Sequence, residues 1–93
     1  MSAINELSKF VVAQVANDPS LEGMVIGRRT QPFMEQFSDD VEFTARLDSA
    51  TNTIPSSKGN DDRRGRMALH QALSLAGKKL KNERIPNAGV SLQ

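Results

Sequence analysis

Four groups of residues in this 93-residue chain are of types that could do chemistry. They are the lone histidine His70, the carboxylates Asp39, Asp40 and Glu42, the stretch Ser56-Ser57-Lys58-Gly59, and the arginines Arg63, Arg64 and Arg66. A single imidazole acts as a general base only with partners in hydrogen-bond reach. No carboxylate occupies positions 66, 67, 73 or 74, the helical neighbours of His70, so His70 is read as a boundary residue. Asp39-Asp40-Val41-Glu42 lacks the alternating oxygen ligands and central glycine of a calcium loop and is read as a solvated acidic turn. The Ser56–Gly59 stretch has no GxxxxGK[ST] spacing and no strand running into it, so it is not a phosphate loop. Cysteine is absent, which removes disulfides and thiolate-bound zinc, and one histidine argues against a histidine-rich metal site. The expectation is a non-enzymatic protein with no cofactor.

Positive charge remains. Residues 1 to 57 carry a net charge of −4 and residues 58 to 93 a net of +5. This division suits contact of the C-terminal third with an anionic surface, or head-to-tail contact between unlike ends of neighbouring subunits. With a helix starting near Asn60 or Asp61, Arg63, Arg66 and His70 share one face while Arg64 points elsewhere. Asp62 and Arg66 are then an i, i+4 pair that offsets part of the charge. Lys78, Lys79 and Lys81 suit the negative end of the same helix. These five cations, Arg63, Arg66, Lys78, Lys79 and Lys81, are the candidates for phosphate or salt-bridge contacts. Sequence-specific DNA reading would call for a bracing helix across a short turn, and RNA modules bring exposed aromatics for stacking. The basic third has neither, so any nucleic acid would be held by its backbone without sequence readout.

The elements that must position these residues follow from apolar spacing. Ile4, Leu7, Val11 and Val15 predict an amphipathic helix over 3–16, capped by Ser2 and ended by Asn17-Asp18-Pro19. Asp18 with Pro19 is also a start signal, and Met24-Val25-Ile26 follows as a short buried segment. Phe33, Met34 and Phe37 form a one-turn apolar pattern after Pro32. In DDVEFTARLDS, Val41, Phe43, Ala45 and Leu47 alternate with Glu42, Thr44, Arg46 and Asp48, which favours a short strand over 41–48, although a helix pairing Phe43 with Leu47 is also open. SATNTIPSSKGN, residues 49–60, is rich in turn formers and predicts a linker. Leu69, Leu73, Ala76 and Leu80 predict a second amphipathic helix over 61–83, weakened by Gly65 and Gly77. Ile85-Pro86 should end it and leave an extended arm over 84–93.

The fold class expected is a mainly α, small single domain, with α+β as the alternative: an acidic segment 1–48, a linker 49–60, a basic helix 61–83 and the arm. Its core should be thin, because the apolar fraction is 38% and the only aromatics are Phe10, Phe33, Phe37 and Phe43. Thin cores are commonly completed by partners. Phe33, Phe37, Leu69, Leu73, Leu80, Ile85, Val90 and Leu92 are therefore the candidate partner-interface residues. No apolar run approaches the roughly 20 residues of a membrane span, and Met1-Ser2-Ala3-Ile4 does not resemble a secretory signal, so synthesis in a cytoplasm is expected. The function that best fits these facts is a structural or assembly subunit of a larger homo- or hetero-oligomeric complex, with a bacteriophage or virion capsid, connector or tail component as the leading case. The alternatives are a small nucleic-acid-associated or regulatory protein using the basic helix, and a helix-docking adaptor or inhibitor of a host protein.

Overall fold

The computed structural model describes the backbone of residues 2–59 and 61–91, and side chains through residue 83 except that of residue 61. The fold is mainly helical, with no strand among the described residues. Helix α1 spans Ala3–Asn17, and a 3-10 turn at Pro19–Leu21 leads into α2, Glu22–Ile26. Helix α3 is Thr30–Gln36 and α4 is Val41–Thr51; a second 3-10 turn, Asp61–Arg63, enters α5, Arg64–Ser91.

Local chemistry explains the starts. The Ser2 hydroxyl accepts the Asn5 N–H at 3.0 Å, and the Asp18 carboxylate accepts the Ser20 N–H at 3.2 Å with Pro19 at the first turn. The Asp40 carboxylate accepts the Phe43 N–H at 2.8 Å. Each cap satisfies a helix-start donor that would otherwise lack a partner.

The strand expected over 41–48 is instead helix α4. Of the four alternating apolar residues, Val41 is 84% exposed and Ala45 is also exposed. The buried set is Phe43 and Ala50 with Leu47 half-buried, a spacing of i, i+4 and i+7 that is helical and runs past the alternating window. Capping by Asp40 and the Glu42–Arg46 ion pair at 3.8 Å add local helical preference. The linker shrinks accordingly: 49–51 finish α4, and Ile54 belongs to the core.

The expected arm is also corrected, because α5 continues across Pro86 to Ser91. A proline inside a helix forfeits one backbone bond at a cost of about 3 kcal/mol, but extending an established helix does not repeat the cost of nucleation. The side chains of Ile85 and Val90, and Leu92 altogether, lie outside the described residues.

Helix α5 is the hub. It packs against each of α1, α2, α3 and α4, and Ala68, Leu69, Ala72, Leu73 and Ala76 are fully buried there, with Leu80 nearly so. From the other side come Leu7, Val11, Val25, Phe33 and Phe43. All four phenylalanines gather in one cluster, with Phe33 stacked on Phe37 at 4.7 Å and Phe43 within 6.0 Å of each of the other three rings. The few aromatics in the sequence are thus concentrated where α1, α3 and α4 meet.

Arg64 ties the turn after α4 to the start of α5. Its Nε donates to the Ile54 carbonyl at 3.0 Å and an Nη to the Thr51 carbonyl at 3.3 Å. The planar guanidinium serves two carbonyls at a helix C-terminus, where backbone acceptors lack intrahelical donors. We expect Arg64→Ala to cost about 1–2 kcal/mol in chemical denaturation, with Arg64→Lys recovering less than half, since one ammonium lacks the fork geometry. Gly77 is buried against α2, where an added Cβ would meet the Ile26 Cα at 3.6 Å and the Val25 carbonyl at 3.7 Å, ordinary contact distances. Gly77→Ala should therefore stabilise by up to about 1 kcal/mol through helix propensity. Gly77→Leu should lower the melting temperature sharply by pushing α2 off α5.

Candidate anion-binding face

With one side of α5 buried, its other side must face water. Arg63, Arg66, His70, Ser74, Lys78 and Lys81 are spaced three or four residues apart and form one stripe along it. No acidic residue occurs between Arg63 and Asn82. Arg63, Arg66, His70, Lys78 and Lys81 are exposed, and Ser74 is half-buried.

Two depressions lie along the stripe. A shallow one of about 520 Å³ is bounded by Thr30, Arg63, Arg66, Met67, His70 and Gln71. Met67, at 40% exposure, supplies its apolar part. A smaller one of about 150 Å³ lies between the end of α2 and α5, with Arg28, Ser74, Lys78 and Lys81 around a floor of Ile26, Leu73 and Gly77.

Of the sequence candidates, Arg63 and Arg66 meet in the first depression, and Lys78 and Lys81 in the second. Lys79 is exposed but borders neither. Arg63 is partly engaged, since one Nη donates to the Gly59 carbonyl at 2.9 Å. The expected Asp62–Arg66 ion pair is not formed. Asp62 lies in the 3-10 turn before α5, so the two residues are not one α-helical turn apart. Arg66 does border a depression shared with Asp48 and Asp62, without an ion pair to either. No carboxylate pairs with Arg28, Lys78 or Lys81 among the described residues.

The apolar interface candidates have another fate. Phe33, Leu69 and Leu73 are fully buried in the chain's own core, Leu80 nearly so, and Phe37 is half-buried against it. His70 lies on the same outward face as Arg63 and Arg66, as their spacing predicts.

Arg28 was missed as a site residue because nothing in the pair Arg28-Arg29 says which side chain is held. Its backbone has φ of 52°, and it is the only non-glycine residue described with positive φ. Helix α2 ends in a Schellman arrangement, with the Arg28 N–H bonded to the Val25 carbonyl at 3.0 Å and the Arg29 N–H to the Met24 carbonyl at 2.9 Å. Arg28 takes the left-handed position that glycine usually fills.

Among the described residues, no group of three or more histidine or acidic side chains is placed to hold a metal ion, and no helix is long and apolar enough to cross a membrane. Compared with protein-family models, with curated proteins and with solved structures, the chain has no significant match.

A left-handed backbone costs an L-residue about 1 kcal/mol that glycine does not incur. Arg28→Gly should therefore leave the unfolding midpoint unchanged or raise it, by up to about 1 kcal/mol in denaturant titration.

Proposed function

We propose that the protein is a non-enzymatic binding module that holds a polyanion, the phosphate backbone of a nucleic acid, along the outer face of α5. The observation that supports this reading is the acid-free stripe of Arg63, Arg66, His70, Lys78 and Lys81, joined by Arg28 from the end of α2. Phosphates repeat along a nucleic acid, and cations repeating along a helix can follow them without reading bases. Base stacking has no counterpart, since Phe10, Phe33 and Phe43 are buried and Phe37 is half-buried in the aromatic cluster. Affinity would then come from counterion release and be steeply salt-dependent.

Assembly into a larger complex, a virion component included, is the second reading. Of the apolar residues nominated for it, Phe33, Phe37, Leu69, Leu73 and Leu80 pack within the chain, and the side chains of Ile85, Val90 and Leu92 lie outside the described residues; charge is a further support. Glu35, Asp39, Glu42 and Asp48 are exposed on and beside α3 and α4, opposite in sign to the stripe. Head-to-tail contact between copies would pair the two. Light scattering at low salt over a range of protein concentration distinguishes this reading by a rising mass.

Fluorescence anisotropy with an arbitrary-sequence duplex, from about 25 to 200 mM salt, tests the leading reading. The expected result is a linear fall of log affinity with log salt, and a slope reduced by about one for each of Arg66→Gln and Lys78→Gln. Equal affinity for unrelated sequences is expected. No binding at the lowest salt contradicts the proposal.

A further inference from the structure

We infer that the small groove between α2 and α5 is a seat for a single phosphate group, held by Arg28, Lys78 and Lys81 with the Ser74 hydroxyl as a further donor. Where that phosphate belongs to a nucleic-acid backbone, the inference rests on the polyanion reading above and names its anchor.

The groove is built on packed helices. Gly77 lets α5 lie against the backbone of Val25 and Ile26, so the walls are set by helix contact. Such support fixes ligand geometry better than a loop does. Arg28 enters from the end of α2, and both Schellman hydrogen bonds hold its backbone. Its Cα–Cβ direction is therefore determined by a conformation that glycine would adopt at less cost. An arginine kept there gives up backbone ease, and what it supplies in return is a planar fork suited to two phosphate oxygens.

Opposite Arg28, Lys78 and Lys81 are one helical turn apart, and Ser74 is one turn before Lys78. The Ser74 hydroxyl makes no hydrogen bond among the described residues. A carboxylate would be satisfied by the arginine fork alone. A tetrahedral phosphate, with more acceptor oxygens and up to two charges, uses all four donor groups. The larger depression by Arg66 and Met67 is open and partly apolar, and offers a track but no such convergence.

The test is NMR titration with sodium phosphate against sodium chloride at matched ionic strength, followed by duplex DNA binding, on the parent and three variants. Phosphate should shift the amides of Arg28, Ser74 and Lys78 saturably. Arg28→Gly and the double change Lys78→Gln with Lys81→Gln should each weaken phosphate binding by about fivefold or more. Lys79→Gln, which removes the same charge from the same helix outside the groove, should change it less than about twofold. Because Arg28→Gly is expected to melt no earlier than the parent, its loss of binding would not reflect unfolding. If phosphate causes no saturable shifts, if Arg28→Gly is silent, or if Lys79→Gln is as damaging as Lys78→Gln with Lys81→Gln, the seat is overturned. Phosphate bound as expected with no DNA binding upholds the seat for a free phosphate group and removes the polyanion reading. DNA bound equally by the parent and Arg28→Gly, with phosphate inert, upholds that reading and removes the seat.

Discussion

Burial of one face of α5 under the other four helices is the constraint on which the rest depends. Ala68, Ala72 and Ala76 keep that face low, Leu69, Leu73 and Leu80 fill it, and Gly77 allows α2 to come against it. Close approach of helices through small residues makes a core of modest side chains dense enough to hold. The four phenylalanines then close the space among α1, α3 and α4. Among the described residues α5 packs against each of the other four helices, so its orientation follows from packing.

The same constraint produces the candidate site. A helix rotated so that its alanines and leucines face inward has to present Arg66, His70, Ser74, Lys78 and Lys81 outward. Arg64 points the other way and is occupied by the carbonyls of Thr51 and Ile54. One arginine of the cluster is thus a fastener, a second is shared with the Gly59 carbonyl, and a third is open to an anion. Charge on the surface and order in the turn are set by neighbouring positions in one short stretch.

Much of this was legible in the sequence. The mainly helical class, the Ser2 and Asp18 caps and the apolar stripe of α5 follow from spacing and capping chemistry and agree with the structure. The alternation of Val41, Phe43, Ala45 and Leu47 imitates a strand because the window is too short to show Phe43, Leu47 and Ala50 as one helical stripe, to which Ile54 adds from the turn after α4. Ala50 and Ile54 lie in a segment whose serine, threonine and proline content predicts a linker, where a single isoleucine carries little weight. The large apolar side chains of α3 and α5 could complete a core or bind a partner, and spacing alone does not separate the two. The role of Arg28 depends on a positive φ at an arginine, which no propensity predicts.

The outward stripe of α5, with Arg28 beside it, is the proposed binding face. The most direct measurement is an NMR footprint of a short duplex DNA of arbitrary sequence at low salt. Shifts concentrated at Arg28, Arg66, His70, Ser74 and Lys78, with Val41 to Asp48 unaffected, are the expected result. Shifts centred on α4, or spread evenly over every exposed lysine and arginine, would contradict it.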